Sequence, residues 1–227
     1  MKTILITGAS GNLGKSTVSK FLAANYRVLA THSPGKPSAL PPNPNLETYP
    51  VDLTDEKAVT STLETLFAKH PTIDAALLLA GGFAGGNFQN TDGATLRKMY
   101  ALNFETAFFI ARPLLIHMQK QPEGGRIVLV GSRTALRASD AKNALAYALS
   151  KSLLFNLAEY LNAEGAKQNV VTSVIVPSTI DTPDNRKAMP NADFSTWVST
   201  DEIADTLLFI ANSTSLREPV LKLYGKA

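Results

Sequence analysis

Apolar runs of strand length alternate with longer segments of helical period along this chain, and that alternation is the strongest constraint on its fold. Thr3–Thr7, Arg27–Thr31, Glu47–Val51, Ile73–Ala80, Arg126–Ser132, Val170–Val176 and Val220–Tyr224 read as strands. Asn12–Ala24, Thr54–Lys69, Gly93–Lys120, Asn143–Gly165 and Thr200–Ala211 read as helices. Strands that are apolar on both sides need cover on both faces, and helices between them supply it. The expected fold is α/β, a doubly wound parallel sheet with helices on both faces. At 227 residues and 44% hydrophobic content, one substantial core is expected, with residues 1–227 forming a single domain.

Composition narrows the function classes. The formal charge of +3 is spread over scattered Lys and Arg residues, with no run or stripe of the kind that nucleic acid requires, so no nucleic-acid partner is expected. The absence of cysteine excludes disulfides, thiolate metal sites and a Cys nucleophile. His32, His70 and His117 lack ligand spacing, and no metal is expected. The apolar stretch at the N-terminus is too short for a signal peptide, and Ala75–Ala80 falls far below spanning length. A cytoplasmic protein without a membrane partner is the expectation.

Two segments break the alternation. Ser33–Pro50 carries Pro34, Pro37, Pro41, Pro42, Pro44 and Pro50, which cannot continue a helix or a central strand. It reads as a surface loop in place of the helix after the second strand. Pro177–Ser199 follows a strand C-terminus, where open α/β sheets bind ligands, and is the candidate substrate lid.

Between the first strand and helix lies T-G-A-S-G-N-L-G, residues 7–14. Gly8, Gly11 and Gly14 permit a tight turn and close backbone approach, and the free N–H groups of the following helix face an anion. This is a place for a dinucleotide pyrophosphate. The overlapping A-S-G-N-L-G-K-S, residues 9–16, also satisfies a relaxed P-loop, in which Lys15 would reach phosphates and Ser16 would hold magnesium. Neither Ile73–Ala80 nor Arg126–Ser132 ends in the carboxylate that would complete such a site, although Asp52 ends an earlier strand.

Farther along, Tyr147 and Lys151 stand four residues apart on one helix face. A free phenol has a pKa of about 10, and a neighbouring ammonium lowers it toward working pH, which makes a better general acid or base. Leu145, Leu149, Leu153, Leu157 and Leu161 form a separate stripe, two residues out of step, that suits core or a subunit interface.

With both motifs in this order, the chain resembles the short-chain dehydrogenase/reductase family over nearly its whole length. The resemblance implies a Rossmann fold, a nicotinamide cofactor and a catalytic set of Asn103, Ser132, Tyr147 and Lys151. Tyr147 would supply the proton, and Lys151 would tune it and bind the nicotinamide ribose. Ser132, with Thr134 as the alternative hydroxyl, would bind the substrate oxygen or orient Tyr147. Asn103 would fix a water linking Lys151 to solvent. Cofactor contacts are implied for Gly8, Ser10, Gly11, Asn12, Leu13, Gly14, His32, Ser33, Asp52, Leu53, Ala80, Gly81, Gly82, Tyr147, Lys151, Pro177, Thr179 and Thr182. The glycine spacing follows G-x-x-G-x-x-G, with Asn12 where the usual pattern has glycine.

Residues 80–87, A-G-G-F-A-G-G-N, and 181–197 are similar to the active-site loops of dihydropteridine reductases. That likeness implies reduction of a quinonoid dihydropterin or similar flat ring, with Phe83, Met189 and Trp197 against the substrate. Those enzymes generally lack the Ser and Asn found here at 132 and 103, and a complete tetrad equally suits a general carbonyl or quinone reductase. A cofactor-binding regulator without turnover is a third reading. The second strand ends A-T-H-S with no carboxylate to bind a ribose 2′-OH. His32, Ser33 and Lys36 could hold a 2′-phosphate, so NADP(H) is expected over NAD(H). Met99–Met118, apolar on more than one side with Phe104, Phe108 and Phe109, predicts a helix shared with a partner subunit in a homodimer or homotetramer.

Overall fold

A computed structural model describes residues 1–35 and 40–226. Seven parallel strands form one sheet: β1 (Thr3–Thr7), β2 (Arg27–His32), β3 (Leu46–Pro50), β4 (Ala75–Leu78), β5 (Gly125–Val130), β6 (Val170–Pro177) and β9 (Val220–Leu223). Their order is β3-β2-β1-β4-β5-β6-β9. The chain builds outward from β1 to β3, then returns to lay β4 on the other side of β1. Beyond the C-terminal ends of β1 and β4, the connections leave in opposite directions and open a crevice.

Side-chain alternation along the strands divides the core into two layers. Leu5, Leu29, Ile127 and Leu129 face α2 (Glu56–Lys69), α4 (Thr106–Met118) and α6 (Leu145–Gly165), meeting Val59, Leu63, Ile110, Leu114 and Leu154. Ile4, Ile6, Val28 and Val128 face α1 (Asn12–Ala23) and α8 (Thr200–Asn212), meeting Val18, Phe21, Ile203 and Leu207. This is the expected doubly wound Rossmann architecture. Asp55 caps α2 by accepting from Lys57 and Ala58 N–H, and Ser199 with Glu202 forms a capping box on α8. Pro50 is tolerated in a strand because β3 is the sheet edge. No helix separates β2 from β3 among the described residues, as the prolines require.

Two stretches differ from the sequence reading. Gly93–Lys120 is not one regular helix: α3 (Gly93–Tyr100) passes through a π-helical turn at Ala101–Glu105 into α4. The lid stretch after β6 is more ordered than a loop. It contains β7 (Ile180–Asp181) paired with β8 (Val198–Ser199), and between them α7 (Pro183–Ala188), which Thr182 caps by accepting from Asn185 N–H. A four-residue helix, α5 (Arg133–Leu136), follows β5.

Near its C-terminal end, helix α6 is tied to β6 through Asn162. Asn162 Nδ2 donates to Thr172 O at 2.9 Å, and its Oδ1 accepts from Thr172 N at 2.7 Å. Strand β9 pairs with β6 only from Val174 onward, so Asn162 completes the ladder where β9 does not reach. Asn162→Ala strands two buried backbone groups and is expected to cost about 2–3 kcal/mol. Urea unfolding measures it, and a loss below about 0.5 kcal/mol would refute this account.

Candidate functional site

The crevice begins at the glycine turn. Gly8 has φ +64°, and a Cβ there would stand 2.9 Å from the Ala80 backbone nitrogen, so the turn must lie flat against the end of β4. A Cβ on Gly14 would collide with Gly8 O and Ala9, because α1 crosses tightly beneath the turn. Gly11 caps α1 without a side-chain hydrogen bond, and the first turn of α1 carries no acidic residue. Its N–H groups and positive end are therefore available to an anion.

A cleft of about 270 Å³ runs from this turn over the ends of β1, β2 and β4. It gathers the predicted Gly8, Ser10, Gly11, His32, Ser33, Asp52, Leu53, Ala80 and Gly81. Thr31, Val51, Thr54, Leu79, Leu102 and Thr106 also line it and were not anticipated; their proximity to recognised residues in sequence was the available signal. Asp52 is committed locally, accepting from Thr54 N–H at 2.9 Å and Thr54 Oγ1 at 2.7 Å, which hold its carboxyl below the ordinary range. His32 Nδ1 lies 3.1 Å from Ser33 O. Lys36 lies outside the described residues. The glycine turn, the helix start without a side-chain cap and the polar rim at His32 and Ser33 fit a dinucleotide.

Toward β5 the cleft meets the Tyr–Lys helix. Asn103 sits in the π-helical turn, where the extra residue swings it inward, and it is almost fully buried. Its Oδ1 accepts from Gly82 N at 2.9 Å; its Nδ2 donates to Gly82 O and to Ser150 Oγ, each at 3.0 Å. The side chain thus clamps the β4 loop to α6. A Cβ on Gly81 would come within 2.6 Å of Asn103 Oδ1 and 3.3 Å of Lys151 Nζ, so this loop passes directly over the lysine. Lys151 Nζ donates to Val130 O at 2.8 Å, and burial lowers its pKa to about 8.

Tyr147 differs from expectation. Burial raises the phenol pKa above its ordinary value, with the nearby Ser132 hydroxyl pulling the other way. Burial thus outweighs the lowering that a cation four residues along the helix was expected to give. The Phe83 ring meets the Tyr147 ring edge-on at 5.1 Å and is itself largely exposed. Gly86 pairs with Asn143 and Leu145 through its backbone, fixing the Phe83 loop to the start of α6. Ser132 caps α5, and its Oγ lies 2.9 Å from Thr134 Oγ1 while accepting from Thr134 N at 3.3 Å. The two candidate hydroxyls are therefore one hydrogen-bonded pair.

The lid residues are less convergent. Trp197 packs its ring on Phe194 at 4.8 Å, and Gly225 lies against its backbone. Met189 is exposed at the end of α7. Thr179 anchors the lid by accepting from Val198 N–H, and Thr182 is buried as the α7 cap. Pro177 ends β6. Ser16, which a P-loop would aim at magnesium, lies within α1 and donates instead to Thr200 Oγ1 at 2.9 Å. Among the described residues no helix is long and apolar enough to cross a membrane.

Known proteins share this fold. Residues 2–193 match the short chain dehydrogenase family. The dihydropteridine reductase of Dictyostelium discoideum is 28% identical over 210 residues, covering 91% of this chain and 86% of that protein. The acetoacetyl-CoA reductase of an Acinetobacter strain is 24% identical, covering 80% of this chain and 75% of that one. The NADP-bound structure of ElxO superposes with a TM-score of 0.89 at 24% identity, covering 99% of this chain and 97% of that chain. A short-chain type dehydrogenase/reductase from Mycobacterium ulcerans gives 0.87 at 20% identity, covering 99% and 89%.

Proposed function

Because the chain belongs to the short-chain dehydrogenase family and is a nicotinamide-dependent oxidoreductase, we propose that it reduces a quinonoid dihydropterin or a similar flat ring, using NADPH. The observation that carries this reading is the exposed Phe83 ring set edge-on against Tyr147 at 5.1 Å, which offers a planar acceptor an aromatic wall beside the acid.

The bound dinucleotide supplies the hydride. Gly8, Ser10, Gly11, Asn12, Leu13 and Gly14 would receive its pyrophosphate, and His32, Ser33, Asp52 and Leu53 its adenosine end. Ala80, Gly81 and Gly82, with Pro177, Thr179 and Thr182, would flank its nicotinamide half. Tyr147 Oη gives its proton to the reduced acceptor, Ser132 Oγ donates to the same centre, and Lys151 Nζ stabilises the phenolate left behind. Asn103 holds the Gly81–Gly82 loop over that ammonium. Met189 and Trp197 would cover the acceptor from the lid side.

Mixing the protein with NADPH and quinonoid dihydropterin, with a simple ketone and a quinone in parallel, tests the substrate by loss of nicotinamide absorbance. Turnover confined to the pterin is expected. Ketone turnover without pterin turnover would move the protein to the carbonyl reductases, a reading the Ser132–Thr134 hydroxyl pair favours.

The NADPH preference rests on His32 and Ser33 at the rim without a carboxylate beyond β2. Ser33→Asp should repel a 2′-phosphate and lower the NADPH to NADH ratio of kcat/KM by about tenfold or more. An unchanged ratio would remove this rim from cofactor choice. The protein is also proposed to act as a homodimer or homotetramer, since Tyr100 and Ile116 on the α3–α4 segment and Leu149 on α6 leave large apolar side chains exposed. A monomeric mass at micromolar concentration would overturn this.

A further inference from the structure

The start of α1 and the lid are joined by one side-chain bond. Asn12, the first residue of α1, donates from Nδ2 to Asp184 Oδ2 at 2.8 Å, across 172 positions of sequence. Asp184 stands in the first turn of α7. The lid around it is internally braced: Arg186 binds Asp181 with two bonds of 2.6 and 2.7 Å, and Asn185 Nδ2 donates to Ile180 O at 2.8 Å. Asp184 thus projects from a segment held by its neighbours' bonds.

The α1 terminus has no acidic residue of its own and no side-chain cap. Asp184 brings a carboxylate to the segment whose N–H groups and positive end suit an anion, and it engages the amide of the first helical residue. A carboxylate and a pyrophosphate gathered at one helix start repel each other, and the bond to Asp184 already commits one of the two Asn12 Nδ2 hydrogens.

We propose that Asp184 is an internal competitor for the cofactor's pyrophosphate: its bond to Asn12 keeps the lid docked on the glycine turn, and dinucleotide binding displaces it. The inference rests on the cofactor reading and is independent of which acceptor is reduced. It makes cofactor affinity depend on a lid residue and couples cofactor arrival to release of α7 from α1.

The test is NADPH affinity, followed by quenching of the lone Trp197, for wild type, Asp184→Asn and Asp184→Ala. The Asn variant removes charge while keeping an acceptor for Asn12; the Ala variant removes both. Both should bind NADPH about fivefold or more tightly, and the gain should shrink as salt rises from low to physiological strength. Weaker binding in both variants would make the contact a strap that holds the cofactor and would overturn competition, as would unchanged affinity. Unchanged thermal midpoints would exclude a folding defect at this exposed position. Failure of the wild type itself to bind NADPH or NADH would strike the cofactor reading rather than Asp184.

Discussion

Tyr147→Phe is expected to lower steady-state turnover by about 10²–10⁴-fold while leaving NADPH affinity within about twofold. The ring stays, so the edge-on contact with Phe83 and the packing at the start of α6 persist; only the proton and its oxygen are lost. Burial, which raises this phenol, keeps Tyr147 protonated at neutral pH, the form a reductase needs before the hydride moves. The cost of that arrangement is a reluctant phenolate after transfer, which the Lys151 ammonium must offset. Stopped-flow kinetics and a fluorescence titration measure turnover and affinity separately. Normal turnover in the Phe variant would remove Tyr147 as the acid, and a large loss of NADPH binding would make its role one of cofactor positioning.

Parts of this site were legible in the sequence because they depend on local repetition. Gly8, Gly11 and Gly14 announce a turn by their spacing, and Tyr147 and Lys151 share a face because four residues make about one helical turn. The alternation of apolar runs likewise gave the strand sequence, since strands buried on both faces have no polar side to hide. What was not legible depends on distant segments meeting. The π-helical turn that aims Asn103 at Gly82 has no strong signature in A-L-N-F-E, and its benefit lies in bonds to residues on β4's loop and α6. The rise in the Tyr147 pKa was likewise hidden: the Y-x-x-x-K spacing reveals a cation nearby but not the burial that opposes ionisation. The Asn12–Asp184 bond joins two segments whose local sequences give no hint of each other.

Lys151→Met is expected to gain stability relative to the wild type at pH 7 and to lose that advantage as pH rises, while turnover falls. Lys151 is buried, and its folded-state pKa is lowered to about 8 from an ordinary 10.5. Below pH 8 both folded and unfolded chains carry the charge, so the full cost of burying it is present. Between about 8 and 10.5 the folded chain gives up its proton first; the unfolded chain then binds more protons, and wild-type stability rises with pH. That gap corresponds to roughly 3 kcal/mol over the window. Val130 O loses its partner in the Met variant at every pH, so that loss largely cancels when the wild-type-minus-variant difference is compared at pH 7 and pH 10.5. Chemical unfolding at the two pH values measures it. A difference that does not move by at least about 1 kcal/mol toward the wild type would mean the ammonium is already well compensated in the fold, and the lysine would then be a structural anchor on β5 rather than a strained charge held in readiness for the phenolate.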